Sequence, residues 1–245
     1  MTRIPFGEPI RRGDWVVRLA TGDEFDAVLD LRARAFRGDA RMSDRDSFDR
    51  NALHLWVGRA GQGLRATLRL RPHMTGDALL RGYAAQFYDL AALADAGGMA
   101  LELGRLCRAD GGIEADLMRL VWAGVARIAL NTGAARLVGC TSFATTDADA
   151  LGPALRLLRA RHLGPAALRP GRKSAAAVDF PHGAPGTDAL LRMPPLLRAY
   201  LAMGGWVSDH LVIDRDLGTC HVFTCVEIAA MPAARRRALT HLAAG

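Results

Sequence analysis

A chain of 245 residues, 50% of them hydrophobic, buries a full core and fits one large domain. Its formal charge of +7 comes almost wholly from arginine, since Lys173 is the only lysine, and a basic surface favours nucleic acid, an anionic membrane or an acidic protein. No apolar run reaches the roughly 18 residues of a membrane span, and no helix-turn-helix, zinc finger or aromatic RNA platform stands out, which makes nucleic acid the weakest of those partners.

In chain order, "MTRIPFGEPIRRGDW" has no secretory core, so a cytoplasmic protein is expected, in contact with membrane only at its inner face. "WVVRLA" (Trp15 to Ala20) reads as a first strand, and Phe25 to Phe36 as a helix with Asp and Glu at its start, where the helix dipole favours them. The polar "RGDARMSDRDSFDRNA" reads as a loop, and "LHLWVGRAGQGLRATLRLRP" as a hairpin about a Gly-rich turn. "YAAQFYDLAALADAGG" is aromatic, then helical, and is closed by glycines. "MALELGRLC" is a strand that ends in a Gly/Asp turn. An amphipathic helix follows, with Leu117, Val121, Gly124, Val125 and Ile128 on one face and Gly133 after its end.

"ARLVGCTSF" is a second buried strand, and the helix after it carries Pro153 in its first turn. Residues 164–195 shift to Gly, Pro, Ala and Arg and read as a long loop or lid. A short helix and a C-terminal hairpin at 205–228, with Asp214, Asp216 and Gly218 in its turn, complete one domain over 1–245. The order implies an α/β fold around one mixed sheet, antiparallel strands first and a parallel pair in the centre.

Cys107, Cys140, Cys220 and Cys225 form no CxxC pair and have no clustered histidines, so they read as small core hydrophobes and no metal is expected. The seven histidines are scattered, and no GxSxG elbow is present.

Three charged groups interrupt the apolar pattern. Glu102 and Arg105 lie inside a strand, as a structural ion pair or as a catalytic pair. Residues three apart in a regular strand cannot share a face, so a bulge at Gly104 is expected to bring them together. Arg32 and Phe36 are one helical turn apart, and Asp46 and Asp49 flank Phe48 in the loop, an arrangement that holds a zwitterion or forms a solvated charge run. Arg69 and Arg71 alternate on the hairpin strand, as ordinary edge-strand arginines do.

The succession "LRARAF", "DRDSFD", "LRLRP", "QFYDL", "LELGRLC" and "LVGCTSF" resembles the bacterial L-ornithine N-acyltransferases that use acyl-carrier-protein thioesters, over roughly Trp15 to Ala234. That family is similar to the acyl-homoserine-lactone synthases and to the GCN5-related N-acetyltransferase fold, whose mixed sheet has splayed central parallel strands flanked by helices. The resemblance implies catalytic roles for Glu102 and Arg105, and substrate binding by Arg32, Phe36, Asp46, Asp49 and Arg69. It also implies an oxyanion and thioester site at Leu106 and Cys107. The acetyltransferase pyrophosphate loop is absent from "CRADGGIEADL", which suits a donor presenting only the phosphopantetheine arm of acyl carrier protein, with no bound cofactor. The implied reaction passes a 3-hydroxyacyl group to the α-amine of L-ornithine, giving lyso-ornithine lipid. Arg156, Arg159, Arg169 and Arg172 are expected to meet the acidic carrier or an anionic membrane. Transfer to another amino acid, homoserine-lactone synthesis and a non-catalytic carrier- or membrane-binding module are the competing readings.

Overall fold

The computed structural model describes residues 4–39, 41–109 and 115–244. The first elements are β1 (Ile10–Arg12), β2 (Trp15–Leu19), α1 (Phe25–Arg37), β3 (Leu53–Arg59), β4 (Gly63–His73), α2 (Gly76–Leu79), β5 (Tyr88–Asp89), α3 (Ala91–Asp95) and β6 (Ala100–Arg108). Next come α4 (Ala115–Thr132), β7 (Arg136–Phe143), α5 (Gly152–Arg161), β8 (Gly171–Arg172), β9 (Ala177–Asp179) and α6 (Pro195–Ala202). β10 (Trp206–Asp214), β11 (Thr219–Glu227) and α7 (Ala233–Ala244) complete the chain. The Gly/Asp turn expected after β6 falls at 110–114, outside the described residues. β1, α2, β5, β8, β9 and α7 had no counterpart in the sequence, because each is short or weakly periodic; β8 and β9 lie in the stretch 164–195 expected as a loop.

The chain divides into two compact units, of which the first comprises Met1–Pro72, Leu101–Ala134 and Ala233–Gly245. Its strands run in the order β1-β2-β3-β4-β6, with the β1–β2, β2–β3 and β3–β4 pairs antiparallel. β4 is therefore an interior strand, and the expectation of edge-strand arginines there is corrected: Arg69 is buried. α4 lays the expected face inward, with Leu117, Val121, Val125 and Ile128 all buried. Gly124 lets that face approach the sheet, since a Cβ there would stand 2.5 Å from a Leu55 methyl and 3.0 Å from Val17. α7 packs on α4, and the Arg127 Nε of α4 donates to the Ala243 carbonyl at 2.5 Å. α1 ends as its sequence dictates, with Gly38 in the left-handed conformation at φ 73°.

The second unit, His73–Ala100 and Ala135–Pro232, carries the strand order β7-β11-β10-β9 and a small β5–β8 ribbon. β11 alternates strictly: Cys220 and Val222 join one core with Leu155, Leu158 and Leu197, while Phe223 and Cys225 join another with Tyr88, Leu90 and Trp206. Residues 164–195 contribute to the first of these, burying Phe180, Ala189 and Met193 in it. In the β10–β11 turn, the Asp214 carboxylate accepts from the Asp216 and Leu217 amides at 3.0 and 3.1 Å, and Gly218 takes φ 63°. A register shift in β10 between Val207 and Leu211 is bridged by Ser208, whose hydroxyl donates to the His210 carbonyl and accepts from the Phe223 amide. Three of the four cysteines are buried, all four are free thiols, and among the described residues no helix is long and apolar enough to cross a membrane.

Candidate active site

The first unit gathers three arginines and three aspartates from α1, the loop after it, β4 and β6. The loop folds around its own acids. Asp46 caps the turn Ser47–Asp49 by accepting from the Phe48 amide at 2.8 Å, and Asp49 Oδ2 accepts from the Asp46 amide at 3.0 Å. This reciprocal pair aims the remaining carboxylate oxygens at the arginines.

Arg32 is fully buried and forms three bonds: Nε to Asp44 Oδ2 at 2.8 Å, one terminal nitrogen to Asp49 Oδ1 at 2.6 Å, and the other to the Asp44 carbonyl at 2.6 Å. Arg69 donates to Asp46 Oδ1 at 2.6 Å and to Asp49 Oδ1 at 3.0 Å. Arg105 reaches Asp44 Oδ2 at 3.0 Å and Asp46 Oδ2 at 3.4 Å. Aromatic rings cover the cations, Phe36 with Arg105 over it at 5.5 Å and Phe48 with Arg69 and Arg71 over it at 5.9 and 5.3 Å. The solvated charge run is thus excluded, because the Asp44 and Asp49 side chains are at most 5% exposed.

Every expected substrate-binding residue joins this network: Arg32, Phe36, Asp46, Asp49 and Arg69, together with Arg105. Asp44, which the sequence reading did not single out, ties Arg32 to Arg105. Its only signal was a third acid in "SDRDSFD". Burial pushes the Asp49 carboxyl upward, and hydrogen bonds from Arg32, the Asp46 amide and Arg69 overcome it, holding the group below its usual range. His54, opposite Arg69 in the β3–β4 register, lies in tilted contact with Phe25 at 4.7 Å between ring centroids, and burial lowers its pKa to about 4.

On β6, Glu102 is buried at 4% exposure. β6 runs on through Arg105, and the left-handed residue within it is Arg105, at φ 54°, and not Gly104, whose φ is not positive. The expected position of the distortion is therefore corrected by one residue. A non-glycine side chain held there costs about 1–3 kcal/mol, and the ion pairs to Asp44 and Asp46 offset that cost. A Cβ on Gly104 would come no nearer than 4.0 Å to the Arg69 guanidinium, so this glycine leaves open space beside it. Leu106 is half-buried. Burial pushes the Cys107 thiol up to about 12, against the pull of Arg32 and Arg105, so it holds no thiolate at neutral pH. A thiol kept protonated by burial is poorly suited to nucleophilic attack.

Arg156, Arg159, Arg169 and Arg172 lie in the second unit and are engaged there. Arg156 and Arg159 donate to the Ala184 and Phe180 carbonyls, and Arg169 and Arg172 pair with Asp209 and Asp179.

Residues 25–123 match the acetyltransferase (GNAT) domain family, and the chain has the GNAT-like acyltransferase fold, a mixed sheet flanked by helices. The fold is shared with an N-acyl amino acid synthase from uncultured soil microbes, at TM-score 0.53 and 12% identity over 90% of this chain and 97% of that one. The chain is 32% identical over 167 residues to the L-ornithine N(alpha)-acyltransferase of Rhodobacter capsulatus, a match spanning 67% of this chain and 64% of that protein, so less than two thirds of the relative's length is represented. It is 29% identical over 241 residues to the L-ornithine N(alpha)-acyltransferase of Brucella abortus, spanning 89% of this chain and 86% of that protein.

Proposed function

We propose that the protein is an N-acyltransferase that moves a 3-hydroxyacyl group from acyl carrier protein to the α-amine of L-ornithine, giving lyso-ornithine lipid. The likeness to relatives named L-ornithine N(alpha)-acyltransferase supports the acceptor. The observation that carries the assignment of a site is the buried arginine–aspartate network, which the strand bearing Glu102 joins through Arg105. Ornithine is a zwitterion with a second ammonium group, and a network of guanidinium and carboxylate groups complements both charges.

Among the acids, Asp44 and Asp49 are consumed by internal bonds and act as positioning residues. Asp46, 25% exposed at its side chain, meets the substrate ammonium. Arg69, Arg105 and Arg32 define where its carboxylate sits. The α-ammonium gives its proton to Glu102, directly or through one water. The freed nitrogen attacks the thioester carbonyl, and the tetrahedral oxyanion is held by a backbone amide at Leu106 or Cys107. Collapse forms the amide and breaks the C–S bond; the nitrogen's second proton passes to the departing phosphopantetheine thiolate, and Glu102 releases the first proton to solvent. No enzyme-bound intermediate and no bound cofactor enter. The amphiphilic product leaves at the inner face of an anionic membrane.

The test is to incubate purified protein with 3-hydroxyacyl carrier protein and a mixture of amino acids, and to identify products by mass spectrometry. Hydroxyacyl-ornithine is expected. Acylation of a different amine moves the acceptor, and homoserine lactone formation with S-adenosylmethionine moves the reaction. Carrier bound without transfer overturns the enzymatic reading. Glu102→Gln is expected to lower kcat about 100-fold or more while leaving the unfolding midpoint unchanged, as loss of a general base does.

A further inference from the structure

In the second unit, the turn after residue 186 exposes two adjacent leucines, Leu190 at 53% and Leu191 at 79%. They are held out by a hydrogen-bonded turn. Ala189 on one side and Met193 on the other are buried in the core with Phe180 and Leu197. The turn is closed by hydrogen bonds that the Leu191 and Arg192 amides donate to the Asp188 carbonyl, and the Met193 amide to the Leu190 carbonyl. Arg192 Nε also reaches the Asp188 carboxylate at 2.6 Å. The segment before the turn is fixed to α5, because Arg156 Nε donates to the Ala184 carbonyl.

We propose that this turn is a membrane-docking tip, with Leu190 and Leu191 entering the headgroup–acyl boundary of an anionic bilayer and Arg192 and Arg198 meeting its headgroups. Consecutive exposed side chains in a turn point in different directions, so a protein partner would need two separate pockets to receive them. A bilayer deforms around both. The exposed Arg192 and Arg198 follow the tip, and the whole chain carries a formal charge of +7, so the surface complements anionic lipid. The inference rests on the acyltransferase reading for its purpose, delivery of an amphiphilic product, whereas lipid binding itself is measured without substrate.

The experiment is flotation of the full chain with vesicles of phosphatidylcholine containing phosphatidylglycerol, against phosphatidylcholine alone. Binding to the anionic vesicles is expected, and the double variant Leu190→Ser, Leu191→Ser should weaken it about tenfold or more. Leu130→Ser, an equally exposed leucine on α4 of the first unit, should leave it unchanged. Leu191→Trp should gain a blue-shifted emission component on anionic vesicles that wild type lacks. Wild type remaining with the unbound fraction, or the double variant floating as wild type does, overturns the proposal. So does a double variant that keeps lipid binding and loses affinity for acyl carrier protein, which would make the tip a protein contact. Absence of acyl transfer with lipid binding intact overturns the catalytic reading and leaves the tip standing.

Discussion

Asp44 sits at the centre of the site without being a substrate-facing residue. One of its oxygens accepts from both Arg32 and Arg105, and its side chain is fully buried. Removing it leaves two guanidinium groups with no shared acceptor, and breaking a buried charge pair in this way costs about 3–5 kcal/mol. Asp44→Ala is therefore expected to shift the urea unfolding midpoint strongly downward, whereas Asp46→Ala, at the more exposed acid, should cost less stability and act mainly on KM for the amino acid. Titration supplies a second test at this scale. Burial lowers His54 and His221 to about 4. Between pH 6.5 and about 4 the unfolded chain binds these protons and the folded chain does not, so stability rises with pH across that window. Each shift is worth about 3 kcal/mol. Urea midpoints from pH 4 to 8 should show that rise, and His221→Phe should flatten part of it. Asp49, held low by its arginines, adds to acid sensitivity only below the usual carboxylate range.

Among the elements, α4 and β6 carry the most specific demands. α4 approaches β2 and β3 only because position 124 has no side chain. Gly124→Leu should therefore destabilise the first unit by about 1–3 kcal/mol, the usual cost of overpacking, and Gly124→Ala by less, both measured by thermal unfolding. In β6 the left-handed backbone at Arg105 turns its guanidinium to Asp44 and Asp46. Arg105→Gly relieves the backbone and forfeits the ion pairs. Activity should fall, while stability should change less than it does on removing Asp44.

For the molecule as a whole, the arginine excess has one consequence independent of any single pair. Under the proposed reaction, an acidic carrier protein should bind faster and more tightly at low ionic strength. Its association rate is expected to fall steeply between 50 and 500 mM salt, a range set by Debye screening at about 10 Å in 0.1 M, as stopped-flow binding would record. A rate indifferent to salt would assign the charge no part in docking.

How much of this was legible beforehand follows from the range of the forces involved. Strands β2, β3, β4, β6, β7, β10 and β11, and helices α1, α4, α5 and α6, were readable because periodicity, Pro153, Gly133 and the Asp/Gly turn are local signals. The residue types of the site were equally visible, since charges inside apolar runs stand out. Sequence alone could not say which acid pairs with which arginine. Asp44 and Asp46 differ by two positions in one polar loop, yet one is sealed beneath two guanidinium groups and the other lies at the rim. That choice, the interior place of β4, and the transfer of the β6 distortion from Gly104 to Arg105 belong to the tertiary structure. They depend on contacts up to 61 residues apart along the chain, where burial makes each pairing decisive and no local pattern records it.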